Sequence, residues 1–294
     1  MTKEPIKFSD YKLVIPNMRK FIKKMEQFVN ELKACNNADE ASKIIKKLNK
    51  FNSEIETQTS IIYVLYSCDT TNPEYAKAQE YLDEVSPTFA KYGQMVTKVL
   101  AEAPYRKDLE KKFGSFLFKK YDLSLKTFDE KIMPELSKQN KLTSEYDLIF
   151  GSAQIEFRGE TLNLSQLGKY LQDSDRETRR EAAKAMDKWL GEHEQRIGEI
   201  YGELVKLRDT MAKKLGYKSF IELGYYNLGR TDYNADMVKV YREQIAREVV
   251  PVCNKLYKQQ MKNLGIKKPQ YYDYNLMFKS GNPKPAGDPK YLVD

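Results

Sequence analysis

Apolar residues between positions 16 and 34 recur every three or four residues, which is the period of an amphipathic helix. The set is Met18, Phe21, Ile22, Met25, Phe28, Val29 and Leu32. The same period returns over 39–68 and 73–100, and Asn72-Pro73 supplies an N-cap followed by a first-turn proline. Pro87 predicts a kink or a break in the third helix. The first part of the chain is therefore predicted to form helical hairpins.

The pattern changes in the middle of the chain. A short helix is expected over 104–114, and another over 124–137 with an interruption at Pro134. Apolar and polar residues then alternate over 153–157, Arg158-Gly159 is a turn signal, and 160–163 continues in extended style. This segment predicts one small β-hairpin near residues 153–163.

Long helices are predicted to follow the hairpin. Ser174 and Glu177 have the spacing of a capping box at the start of an apolar stripe of about forty residues that ends at Gly216. A short helix over 219–226 and a long one over 234–264, which tolerates Pro251 and stops at Gly265, complete the pattern. The predicted fold is mainly α, a multi-helical lobe of long antiparallel helices with one hairpin.

We divide the chain into amino-terminal helical hairpins over 1–140 and a second domain over 141–294. Near the last residue, Asp288-Pro289 is again an N-cap followed by a first-turn proline, with only 290–294 behind it. So short a segment does not offset the cost of helix nucleation. We expect either a helix that continues past Asp294 or a frayed final turn.

Composition narrows the functional classes. The 294 residues include 50 basic and 42 acidic side chains interleaved along the chain, a pattern that argues against nucleic-acid binding. No secretory signal or membrane-length apolar segment is visible, so cytoplasmic localisation and no membrane partner are expected. Cys35, Cys68 and Cys253 are scattered, which favours small buried side chains over disulfides or a zinc site.

Catalytic motifs are absent from the sequence. His193 is the one histidine, and although Glu194 follows it, Ile197 stands where the HExxH motif of zinc peptidases requires a second histidine. No GxSxG elbow, Walker-type loop or GxGxxG stands in the chain. Asp173 and Asp175 are explained by the helix start that they flank. We predict no catalytic residue and no metal ligand.

Four stretches, in order, resemble the zinc oligopeptidases of the oligoendopeptidase F type, relatives of thimet oligopeptidase. They are YDLIFGSAQIEFRGE at 146–160 with Leu162 and Leu167, DSDRETRREAA at 173–183, RDTMAKKLGYKSFIEL at 208–223 with Asp232-Tyr233, and VVP at 249–251 with Asp273 and GNPKP at 281–285. The third stretch is the most specific. The hairpins before Tyr146 resemble the family only in being helical.

The resemblance implies a cytosolic, mainly helical enzyme whose deep channel admits short peptides. It also implies a zinc site, built from an HExxH helix and a later glutamate, that lies beyond the matched region. No catalytic or metal residue can therefore be transferred to this chain. The chain is expected to be the amino-terminal, substrate-channel half of a zinc metalloendopeptidase, inactive alone. Its expected partners are an oligopeptide substrate and the missing carboxy-terminal catalytic half.

The substrate-binding residues stay unknown at this level. Tyr225, Tyr226, Arg230 and Tyr233 cluster in sequence and could contact peptide backbone or carboxylate, or they could simply pack the lobe. An alternative function is a self-sufficient helical peptide-binding or scaffold protein derived from the peptidase lobe. The half-enzyme hypothesis predicts an uncovered apolar face, whereas the scaffold hypothesis predicts none.

Overall fold

A computed structural model describes residues 7, 10–288 and 290–291. Within them, the chain forms two compact units. The first unit comprises the described residues up to Gly151 together with Glu199–Ala235. The second unit comprises Ser152–Gly198 together with the described residues from Asp236 onward. The sequence-based division at residues 140 and 141 falls inside a helix that ends at Gly151, and it stays a prediction.

The described chain is mainly helical, and its strands are limited to one antiparallel hairpin. The elements in chain order are α1 Met18–Lys33, α2 Ala38–Cys68, α3 Pro73–Ala101, α4 Arg106–Phe113, α5 Ser115–Ser124, α6 Met133–Gly151, β1 Ile155–Phe157, β2 Glu160–Leu162, α7 Leu164–Gly168, α8 Arg176–Lys214, α9 Phe220–Asn227, α10 Ala235–Gln244 and α11 Val250–Leu264. Short 3₁₀ turns occur at Glu130–Ile132, Tyr170–Gln172 and Tyr271–Asp273, and a π-helical turn occurs at Ile245–Val249.

The first three helices begin at asparagine caps. The side chain of Asn17 accepts from the Lys20 N–H, so α1 starts at Met18 rather than at Pro16. Asn37 caps α2, and the predicted cap at Asn72 is confirmed. The third helix runs through Pro87 without a break.

The core of the first unit lies where α1, α2 and α3 face one another and receive side chains from α4 and α5. The buried cluster is Phe21, Met25, Phe28, Val29, Leu32, Ala38, Ala41, Ile45, Leu48, Tyr92, Val96, Leu100, Leu109 and Phe118. Phe21 packs edge-on against Phe89 with ring centroids 4.7 Å apart. The apolar stripe predicted for α1 is therefore the face that the first unit buries.

The helix predicted over 124–137 is wrong. The chain instead ends α5 at Ser124 and begins α6 at Met133. Asp129 starts the intervening turn, because its side chain accepts from the Lys131 N–H. Pro134 occupies the first turn of α6, where a missing N–H costs nothing, so it marks a helix start rather than an interruption.

The predicted hairpin is confirmed. Ile155 pairs with Leu162 and Phe157 with Glu160. Arg158 and Gly159 both have positive φ, 52° and 82°, which a two-residue type I′ turn requires.

The capping box predicted from Ser174 is wrong by one position. Asp175 supplies the capping oxygen, since its carboxylate accepts from both the N–H and the hydroxyl of Thr178. The predicted end of α8 is confirmed: Gly216 has φ 89°, and Tyr217 N–H donates back to the carbonyl of Ala212.

The single helix predicted over 234–264 is divided into α10, a π-helical turn and α11. Pro251 explains the division, because it has no N–H for the carbonyl four residues earlier and its ring crowds that carbonyl. The predicted end at Gly265 is confirmed, with φ 74°.

Three further expectations can be compared with the described residues. All three cysteines are free thiols, but Cys68 is exposed and Cys35 and Cys253 are only half-buried, so the expectation of fully buried side chains is wrong. Asp288 accepts from the Tyr291 N–H, as an N-cap does, while Pro289 and 292–294 of the predicted start lie outside the described residues. Of the helices described, none combines the length and apolar character of a membrane span.

Candidate functional site

Three of the four aromatic and basic residues singled out from the sequence come together in the first unit. The guanidinium carbon of Arg230 lies 4.2 Å from the ring centroid of Tyr225 and 5.4 Å from that of Tyr233. The two tyrosine rings lie 6.5 Å apart and nearly perpendicular. Arg230 is thus held on two aromatic faces, a cation–π arrangement that leaves the edges of the guanidinium free.

The end of α9 creates this arrangement. Gly229 has φ 66°, and the Arg230 N–H donates back to the carbonyl of Tyr225 at 3.2 Å. This reversal of the chain returns Arg230 over the last turn of α9. Among the described residues no acceptor binds the guanidinium, so the cluster can take a carboxylate or a peptide carbonyl.

Tyr226 does not join the cluster. Its hydroxyl donates to Glu222 at 2.9 Å, and its ring packs against Tyr217 with centroids 5.9 Å apart. The hydrogen bond to Glu222, followed by burial, raises the pKa of Tyr226 above its ordinary value. Tyr226 therefore has the packing role, which is one of the two roles that the sequence leaves open for these residues; the other is contact with a peptide.

His193 is engaged within its own helix. Its Nδ1 lies 2.8 Å from the carbonyl oxygen of Trp189, and its ring stacks on the indole at 4.4 Å. A carbonyl accepts only from a protonated nitrogen, so Nδ1 is the donor of this hydrogen bond.

The described residues do not fit a zinc site of the kind that the family resemblance implies. Nowhere in the described chain do three or more His, Cys, Asp or Glu side chains gather as a metal site needs. The prediction that no residue here is catalytic or binds metal stays a prediction.

The second unit contains a buried network of ion pairs that the sequence did not predict. Asp273 is fully buried and accepts from Arg176 Nη2 at 2.8 Å and from Arg179 Nη2 at 3.0 Å. Burial alone would raise the pKa of Asp273, but hydrogen bonds from Arg176, the Gln270 N–H and Arg179 outweigh it and hold that pKa below its ordinary value. Arg179 is only 1% exposed and also donates to the carbonyls of Asp173 and Ser174.

Tyr271 strengthens the same region. Its hydroxyl donates to Asp187 on α8, and this hydrogen bond, followed by burial, raises the pKa of Tyr271 to about 12. Both residues lie in the second unit. The ion pairs of Asp273 and the hydrogen bond of Tyr271 therefore hold the segment after α11 against the first half of α8.

An uncovered apolar face runs along α10 and α11. We call it the docking face, and it comprises six side chains, one of them (Val249) from the π-helical turn between the two helices: Met237, Val240, Tyr241, Val249, Val252 and Leu256. They are between 43% and 66% exposed. Most recur every three or four residues, and α10 contains no buried residue. A helix of this composition normally buries such a stripe, so the face is suited to a partner.

Comparison with known proteins finds one matching family model and several similar solved structures. The model of the peptidase M3 N-terminal domain matches residues 8–128. Among solved structures, Pz peptidase A with an inhibitor is 37% identical with TM-score 0.95, and the match covers 98% of this chain and 51% of that one. A protein from Bacillus anthracis provisionally named oligoendopeptidase F is 37% identical with TM-score 0.94, covering 97% and 52%. No curated protein matches.

Residues 8–128 thus resemble the peptidase M3 N-terminal domain, and the described fold is mainly helical. Over nearly its whole length the chain is similar to the amino-terminal half of the matched oligoendopeptidase F-type structures. The chain spans about half the length of the solved structures that it matches.

Proposed function

We propose that this chain is the amino-terminal, substrate-channel half of a zinc metalloendopeptidase that hydrolyses short peptides, and that it is inactive alone. The observation that carries the proposal is the match of nearly the whole chain, at 37% identity, to half of two relatives. The zinc site, the oligopeptide substrate and the cytoplasmic location are parts of this proposal. The zinc ligands would come from the other half.

The docking face supports the need for that other half. A carboxy-terminal half that packed on the docking face would remove its six apolar side chains from water, and burial of apolar surface is the main driving force of such association. A self-sufficient scaffold protein, the alternative function, would not leave a helix such as α10 without a buried residue.

The Arg230 cluster is our candidate for a substrate contact of this half. Its guanidinium is held by Tyr225 and Tyr233 and carries free donors, so it can bind a peptide carboxylate. The alternative role of the Arg230 cluster is to pack the end of α9.

The docking proposal is tested by mixing this chain with the carboxy-terminal half of a matched relative and measuring the complex by analytical ultracentrifugation. The relative's own amino-terminal half serves as the positive control. We expect a one-to-one complex that Leu256→Lys weakens and that Asn254→Lys, which adds the same charge at another exposed position of α11, leaves unchanged. Equal weakening by both variants, or tight binding by Leu256→Lys, would contradict docking through this face.

A further inference from the structure

A basic cavity lies in the second unit, next to the end of α11. Its volume is about 610 Å³, and five of its lining side chains are cationic: Arg176, Arg179, Lys267, Lys268 and Lys279. The other described residues that line it are apolar or neutral, and no carboxylate is among them. A cavity of this size holds several phosphoryl groups rather than a single small ion.

The charge of this cavity is not balanced by the protein around it. Asp273 lies behind the wall, fully buried, and its two oxygens are already occupied by the two arginines. The ammonium groups of Lys267, Lys268 and Lys279 have no hydrogen-bond or ion-pair partner among the described residues. Arg176 uses Nε and Nη2 for Asp273 and a backbone carbonyl, so its Nη1 is also free.

The end of α11 explains only part of this charge. Lysines after a helix C-terminus interact favourably with its last carbonyls, which accounts for Lys267 and Lys268. Lys279 comes from a separate segment, yet its Nζ lies 3.6 Å from the position that a Cβ on Gly265 would occupy. The chain therefore brings a further cation to a cavity that already has an excess of positive charge, and like charges around one cavity repel one another.

The segments that carry these cations are fixed in place. Arg176 Nη2 donates to the carbonyl of Lys268 at 3.1 Å. The amide of buried Gln260 donates to the carbonyls of Tyr274 and Leu276, and Asn282 accepts from the Met277 N–H at 2.7 Å. The backbone that carries these cations therefore needs little reordering when an anion binds.

We propose that this cavity binds a polyphosphate anion, with Lys267, Lys268, Lys279 and the free Nη1 of Arg176 donating to phosphoryl oxygens. Lysine binds phosphate as a point charge, and several ammonium groups around one cavity match an anion that carries several charges in a row. The inference is independent of the proposed peptidase function, and its readout involves no peptide cleavage.

The test is isothermal titration of the 294-residue chain with inorganic triphosphate. The combined variant Lys267→Gln, Lys268→Gln, Lys279→Gln removes three charges from the cavity. The matched control, Lys184→Gln, Lys255→Gln, Lys258→Gln, removes three charges from other exposed positions of the second unit. Far-UV circular dichroism of both variants checks that the fold is retained, and Lys279→Gln alone serves as a milder second variant.

We expect one triphosphate bound per chain, with affinity that falls as salt is added. The cavity variant should bind at least about a hundredfold more weakly, because each charge-assisted hydrogen bond is worth about tenfold in affinity. The control should bind as the unmodified chain does, and inorganic phosphate should bind much more weakly than triphosphate.

Three results would overturn the inference. The first is no triphosphate binding, and the second is an equal loss of affinity in the cavity variant and the control. The third is displacement of triphosphate by a DNA oligonucleotide whose binding both sets of substitutions weaken equally, which would indicate a diffuse nucleic-acid surface.

Discussion

The carboxylate of Asp273 joins two arginines of α8 to the segment that follows α11. Arg179, its inner partner, is almost fully buried and has its other donors on backbone carbonyls. If Asp273 loses its charge, the guanidinium of Arg179 stays buried without a counter-ion. Removing one partner of a buried ion pair is among the more costly single changes in a protein.

We therefore expect Asp273→Asn to lower the free energy of unfolding by about 3 kcal/mol or more. Urea denaturation followed by circular dichroism measures this change. Glu177→Gln is the matched control, because it removes the carboxylate of an exposed ion pair with Arg180 on α8. It should lower the free energy of unfolding by about 1 kcal/mol or less. Equal effects of the two substitutions would show that the network around Asp273 is not a stabilising one.

Two buried aspartates should respond to acid in opposite directions. The pKa of Asp273 is lowered, so its stabilising contribution is complete above the ordinary aspartate pKa of about 4 and is lost progressively as the pH falls from there through the lowered pKa. The pKa of Asp83 is raised, because its burial outweighs hydrogen bonds from Ser144 and Gln79. The native state thus binds a proton at Asp83 before the unfolded state does, and acidification from neutral pH stabilises that site.

Unfolding free energies of the wild type, Asp273→Asn and Asp83→Asn as a function of pH test this pair. The advantage of the wild type over Asp273→Asn should shrink below about pH 4. Relative to Asp83→Asn, the wild type should gain stability as the pH falls from neutral toward 4. A constant difference across the pH range for either variant would contradict the assigned shift.

The sequence suggested the contacts of the Arg230 cluster but not the ion pair between Arg179 and Asp273. Arg230 lies within a few residues of Tyr225 and Tyr233, so their proximity along the chain was enough to identify them as candidate peptide contacts. Arg179 and Asp273 are 94 residues apart, and nothing local marks either as buried. Tyr226 shows the limit of clustering, because the helix directs its side chain toward Tyr217 instead.

At the scale of elements, helix ends were predictable where one residue determines them. Asn72, Gly216 and Gly265 each occupy the position expected, because an N-cap oxygen and a positive φ are local requirements. The break between α5 and α6 was not predictable in this way, and Pro251 marks the place of the π-helical turn without by itself showing that the helix divides there. Each depends on how several backbone groups share hydrogen bonds.

Gly216 offers an element-scale prediction. Its φ of 89° is strained for any residue with a Cβ, so Gly216→Ala should lower the free energy of unfolding by about 1 kcal/mol. Gly191→Ala is the control inside the same helix, where a Cβ would meet no atom within 4 Å. It should raise stability by about 0.5–1 kcal/mol, since alanine favours the helix interior. Destabilisation of similar size by both would contradict the assigned end of α8.

At the scale of the whole molecule, the first unit has an extensive core, whereas α10 buries no residue. The sequence predicted the fold class and the hairpin, since both follow from the spacing of apolar residues. That the apolar stripe of α10 and α11 is uncovered could not be read from the sequence, because the same spacing also describes a helix buried in its own domain.

The central claim is that this chain is one half of a peptidase, and peptide cleavage tests it most directly. The measurement is hydrolysis of a fluorogenic oligopeptide by the purified chain, by the carboxy-terminal half of a matched relative, and by the two together, with zinc content determined for each. We expect cleavage and stoichiometric zinc only where the carboxy-terminal half is present, and cleavage only with both halves. Stoichiometric zinc together with peptide cleavage by the 294-residue chain alone would contradict the account.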